Sequence, residues 1–127
     1  MTTRALILFA HGARDARWLA PFERLQQLLR EQLPGVVVEL AFLELMSPRL
    51  PELVPMLAAQ GCDDVTVVPV FFGRGGHLLR DFPPLVEALQ QTYPAIRFRV
   101  AGAVGEAESV LQAISAYCIA SLDSTDA

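Results

Sequence analysis

The sequence predicts a doubly wound α/β domain, a four-stranded parallel sheet with helices on both faces. Three observations carry that expectation. Four apolar runs alternate with four segments of helical period. The runs are almost continuously apolar, as strands covered on both faces are. Each run and the segment after it form one βα unit, and right-handed crossovers wind such units into a sandwich. A length of 127 residues suits one domain. Residues 1–122 are expected to form it, with 123–127 as a frayed tail.

The elements follow in order. ALILFA (5–10) is the first strand and runs into His11. In 17–33, Leu19, Phe22, Leu25, Leu28, Leu29 and Leu33 recur at helical spacing, and Pro34-Gly35 ends that helix. VVVELAFL (36–43) is the second strand. The next helix (47–61) is expected to open with Ser47 as N-cap and Pro48 as its first residue, to kink at Pro55 and to close at Gly61. VTVVPVFF (65–72) is the third strand, and a helix from Asp81 to Pro94 follows. IRFRVAG (96–102) sets Ile96, Phe98 and Val100 against Arg97 and Arg99, the alternation of an edge strand with one wet face. The last helix, 105–121, carries an apolar stripe of Val110, Leu111, Ile114, Tyr117 and Cys118, continued by Leu122.

Composition excludes several classes of function. A net charge of −4 provides no basic footprint for nucleic acid. All ten basic residues are arginine, which forks carboxylates and phosphates well but also reflects coding bias. Cys62 and Cys118 form no CxxC pair and no disulfide framework, so a cytoplasmic setting is expected. The N-terminal apolar run is too short for a secretory signal, and no run is long enough to span a membrane. At 53% hydrophobic residues the chain is apolar enough to suggest a partner surface.

Ligands of such folds bind beyond the carboxyl ends of the strands. His11 follows the first strand, Glu44 the second, and Gly73 to His77 the third, with Arg80 and Asp81 beyond. Thirty-three residues separate His11 from Glu44, and 33 separate Glu44 from His77. That period is one βα unit, so one donor stands at each of three successive strand exits. Two imidazoles and a carboxylate suit a nitrogen/oxygen site for Zn, Co, Ni or Fe(II), and also acid/base work near neutrality. Each residue has a plainer reading. Either histidine can be a hydrogen-bonded structural residue, Glu44 a solvated loop acid, and Gly73, Gly75 and Gly76 a tight turn rather than a mobile loop or a seat for a flat ligand. Both cysteines read as packing. No dinucleotide, P-loop or nucleophile-elbow motif is present. A phosphate-accepting histidine is disfavoured because Ala10 stands where an arginine would precede it.

The segments LILFAHGARD, ELAFLELMSPRLPELV and VTVVPVFFGRGGHLLRDFPPLV resemble the small CbiX-type sirohydrochlorin chelatases, of the class II chelatase superfamily that includes ferrochelatase. The similarity spans about residues 4–120, with Ala13 where serine is common. The resemblance implies ATP-independent insertion of a divalent metal (Co²⁺, Fe²⁺ or Ni²⁺) into a tetrapyrrole, for cobalamin, siroheme or a related product. The metal is then substrate, with no tightly bound cofactor. It implies His11 and His77 as metal ligands and proton acceptors, and Glu44 as the assisting carboxylate. Arg14, Arg74 and Arg80, with Gly75 and Gly76, are placed to meet the acetate and propionate arms of the macrocycle. Phe71 or Phe72, and Leu78, are candidates for its apolar cavity. A homodimer is implied as well. The competing readings are a non-catalytic metal or tetrapyrrole carrier using the same pocket, and a phosphatase-like enzyme built on His11.

Overall fold

A computed structural model describes residues 2–73 and 76–123, with residues 76–79 described by backbone alone. The strands are β1 (Arg4–Ala10), β2 (Val37–Phe42), β3 (Asp64–Pro69) and β4 (Arg97–Val100). The helices are α1 (Ala20–Gln32), α2 (Leu50–Ala59), α3 (Gly76–Thr92) and α4 (Glu108–Leu122), with short 3-10 turns at Ala16–Leu19 and Val104–Glu106. All strand pairs are parallel, in the order β2-β1-β3-β4. The chain steps one way from β1 to β2 and then returns past β1 to β3. The switch point therefore lies between the carboxyl ends of β1 and β3, where an open sheet binds its ligand.

Alternation along the strands divides the sheet into two faces. Ile7, Phe9, Val65 and Val67 point to one face and pack with Leu50, Leu53, Val54 and Leu57 of α2 and Phe82 and Leu89 of α3. Phe9 stacks on Phe82 at 5.0 Å between ring centroids. Each fully buried aliphatic or aromatic side chain of this cluster contributes roughly 1.5–3 kcal/mol. On the other face Leu8, Ala10, Val38 and Phe42 are buried. There α1 lies along β2, and its Gln26 and Arg30 donate to the Val38 carbonyl at 3.0 and 2.8 Å.

The element boundaries differ from expectation in instructive ways. The first expected helix is split, with a 3-10 turn capped by Asp15 before an α-helix that has proline in its first turn. Ser47 does not cap α2. The Ser47-Pro48 bond is cis, Arg49 is the N-cap, and Glu52 accepts from the Arg49 N–H at 2.7 Å. Pro55 lies inside α2. β3 ends at Pro69, so Val70 to Phe72 are no longer strand. α3 begins at Gly76 rather than Asp81, and Pro83 and Pro84 lie within it. Proline's fixed φ is helical, so the pair continues the helix at the loss of two ladder bonds. The apolar stripe of α4 does not pack as expected. No α4 residue is buried, and the helix rests chiefly on the 3-10 turn before it. Cys118 is accordingly exposed, whereas Cys62 is buried. No helix among the described residues is long and apolar enough to cross a membrane.

Candidate active site

The parallel register carries His11 and Glu44 to one place. Ala10 pairs with Phe42 at the end of the β1–β2 ladder. The ladder then continues beyond the strands, with the Leu43 N–H donating to the Ala10 carbonyl at 2.9 Å and the Glu44 N–H to the His11 carbonyl at 3.1 Å. Gly12 makes this approach possible. It has φ +97°, and a Cβ there would collide with the Glu44 carbonyl. What fills the space beside Gly12 is the backbone of Glu44, the second donor. Beyond Glu44, Leu45 takes φ +67° and the Met46 N–H returns to the Glu44 carbonyl at 2.8 Å. A leucine in the left-handed region costs roughly 1–2 kcal/mol, so the turn that presents Glu44 is held by its surroundings.

The side chains meet as well. His11 Nε2 lies 3.0 Å from Glu44 Oε1, with the two side chains 55% and 56% exposed. An exposed pair of this kind adds little to stability, so its interest is chemical. With its proton on Nδ1 the imidazole offers a lone pair at Nε2, so a nitrogen and a carboxylate oxygen stand side by side as donors for a cation. A cation about 2.1 Å from each would see them at about a right angle, the angle between neighbouring ligands of an octahedral ion. The Phe71 ring stands edge-on to the imidazole at 6.4 Å and to Phe9 at 5.8 Å, tying the histidine to the core. Phe72, by contrast, is 71% exposed. Its backbone packs against Gly105, where a Cβ would collide with the Phe72 carbonyl.

The other expected residues are distributed around this pair. The backbone of His77 is in the first turn of α3, and its side chain lies outside the described residues, as does that of Leu78. Arg74 and Gly75 also lie outside them, and Gly76 is the first helical residue. Among the described residues no third histidine, cysteine, aspartate or glutamate joins His11 and Glu44 in a metal-binding cluster. Arg14 and Arg80 are exposed, and no ion pair engages Arg14 among the described residues. Asp15 is committed elsewhere. It caps the 3-10 turn and is held bidentately by Arg17 at 3.1 and 2.8 Å, which keeps its carboxyl below the usual range. Arg49 was missed by the sequence reading. Its side chain is exposed, and its backbone forms a β-bridge with Phe42 at the β2 exit. The signal was an arginine five residues after Glu44, hidden by placing it inside a helix.

Comparison with known proteins agrees with this architecture. The CbiX family model matches residues 5–118. A sirohydrochlorin cobaltochelatase of Methanopyrus kandleri is 34% identical over 82 residues, 65% of this chain and 57% of the relative. One from Sulfurisphaera tokodaii is 28% identical over 107 residues, 84% of each chain. The crystal structure of a CbiX protein from Marinobacter aquaeolei VT8 superposes with a TM-score of 0.83 at 32% identity, covering 94% of this chain and 98% of that one.

Proposed function

The chain belongs to the CbiX family, and on that premise we propose that it inserts a divalent metal into sirohydrochlorin without ATP, with cobalt the foremost metal, ahead of iron or nickel. The names of the relatives support cobalt. The observation that carries the proposal is the 3.0 Å contact between His11 Nε2 and Glu44 Oε1 at the carboxyl edge of the sheet.

The chemistry has two phases. In the first, the pair strips water from the incoming M²⁺ and holds it beside the macrocycle, with His77 as the third donor. In the second, the ion passes to the ring nitrogens and two pyrrole protons leave. Having released the metal, His11 and His77 are each free to accept one of them, and the Glu44 carboxylate beside His11 stabilises the cation formed there. One nitrogen cannot do both at once, so delivery precedes proton transfer. Arg14, Arg74 and Arg80, with Gly75 and Gly76, meet the carboxylate arms of the substrate. Arg49 joins them at the β2 exit. Of Phe71 and Phe72, the exposed Phe72 contributes apolar surface to the ring. Two copies of the chain form the working unit.

The test is spectroscopic. Under anaerobic conditions the protein is mixed with Co²⁺ and excess sirohydrochlorin, and metallation is followed by absorption. The proposal expects many rings metallated per chain, well above the protein-free rate. An absorption change that stops at one ring per chain would identify a carrier and reject the enzyme.

A further inference from the structure

We propose that Leu45 is a substrate-binding residue, an apolar jaw that grips the flat body of the tetrapyrrole across the His11–Glu44 pair from Phe72. The backbone supplies the first reason. The Met46 N–H donates to the Glu44 carbonyl at 2.8 Å, and Leu45 between them has φ +67°. A hydrogen bond closed over a single residue at positive φ is the rare, strained form of γ-turn. Glycine takes such a conformation at no steric cost, and the chain uses Gly12 and Gly61 at its other positions of positive φ among the described residues. At position 45 it keeps a large branched side chain instead. Burial does not account for that choice, because Leu45 is 55% exposed. Strain of this kind persists where function uses what the turn presents, and this turn presents an apolar side chain directly after a polar donor.

Position supplies the second reason. In the sheet β1 lies between β2 and β3, so His11 leaves the middle strand, with Leu45 after one neighbour and Phe72 after the other. Neighbouring strands are about 4.8 Å apart, so the exits of β2 and β3 stand about 10 Å from each other with the β1 exit between them. Phe72 is 71% exposed, yet its backbone is fixed. The Gly105 N–H donates to the Phe71 carbonyl at 2.9 Å, and the Phe72 carbonyl fills the place of a Cβ at Gly105. Two exposed apolar side chains on held backbones thus bracket two exposed polar ones.

The bracket matches the chemistry of the ring. A tetrapyrrole has an apolar, conjugated body, a centre of four nitrogens and a rim of carboxylate arms. Arginines suit the arms and the donor pair suits the metal, but neither suits the body. Ligand sites meet such a body with apolar side chains and keep their few polar groups for orientation. Seated between Leu45 and Phe72, the ring brings its nitrogen centre over His11 and Glu44 while its arms reach outward. The same two contacts displace water from around the pair as the ring arrives, so the ion loses solvent where it is to be transferred.

The inference rests on the chelatase reading above, and its test separates the two. Metal-free sirohydrochlorin is titrated against the full chain and followed by its own fluorescence, for wild type, Leu45→Asn and Leu45→Met. Covering a half-exposed leucine corresponds to about tenfold in affinity. Leu45→Asn should therefore weaken ring binding by about that factor, and Leu45→Met should restore it. The KM for Co²⁺ at saturating sirohydrochlorin should stay within about twofold of wild type, because the lost contact is to the ring alone. The urea midpoint of Leu45→Asn should be at or above that of wild type, because asparagine takes positive φ more readily than leucine. Unchanged ring affinity in Leu45→Asn overturns the inference. So does a KM for Co²⁺ that rises in step with the loss of ring affinity, since Leu45 would then act only by holding Glu44. A lower urea midpoint overturns it as well, since the leucine would then serve the fold. A wild type that binds the ring through Leu45 but metallates no more than one ring per chain keeps the contact and rejects the enzyme. A wild type that turns over, with Leu45→Asn its equal, does the reverse.

Discussion

At the scale of single residues, the site depends on two backbone conformations that side chains disfavour. Gly12→Ala places a Cβ at φ +97° against the Glu44 carbonyl. It should cost at least about 1–2 kcal/mol of stability and move Glu44 off His11, lowering metal insertion more than a surface change of equal cost. Urea unfolding and the insertion rate, measured on the same variant, check both parts. Exposed His11 and Glu44 should behave oppositely, with alanine at either position leaving stability within about 0.5 kcal/mol. The thiols divide in the same way. Burial pushes the Cys62 thiol up from its ordinary value, with Asp63 adding to the effect. Folded protein at pH 8 should therefore be alkylated at Cys118 alone, and Cys62 should react only in denaturant. By the same linkage the contribution of Cys62 to stability is intact below the unfolded thiol's pKa of about 8.5 and is lost as pH rises above it. Two alkyl groups on native protein, counted by mass spectrometry, would contradict this.

At the scale of elements, what was legible followed from periodicity, and what was not followed from tertiary context. All four strands and four helices were readable because the apolar pattern changes between strand-like (continuous in the first three, alternating in the fourth) and helical at every boundary. Equal spacing placed His11 and Glu44 at neighbouring strand exits. It could not show that they touch, because the contact depends on ladder bonds beyond the strand ends and on the turn at Leu45. The start of α2 was misplaced because Ser47-Pro48 is a good local opening signal, yet Arg49 is the residue that pairs with Phe42. The exposure of α4 was hidden because an apolar stripe reads the same whether its partner lies in the chain or outside it. The core helix α2 allows a contrasting prediction. Leu53, 1% exposed, is packed in the core between α2 and the sheet. Leu53→Ala should cost about 2–5 kcal/mol in urea unfolding while kcat, measured well below the new melting temperature, stays near wild type. A large loss of kcat with the fold intact would mean that α2 positions the site more directly than its packing indicates.

At the scale of the whole molecule, one sheet does two jobs. Its buried face and helices make a rigid platform, and its carboxyl edge holds two polar side chains at a separation a metal ion can bridge. On the proposed function, core packing carries stability and the edge carries chemistry, so the two should separate under mutation. The central claim is that the His11–Glu44 pair handles the metal. The direct measurement is the initial rate of cobalt insertion into sirohydrochlorin against Co²⁺ concentration, for wild type, His11→Ala and Glu44→Gln, with melting temperatures measured alongside. The account predicts saturable insertion by wild type, and losses of about a hundredfold or more in both variants at unchanged melting temperature. Near-normal insertion by both variants would contradict it.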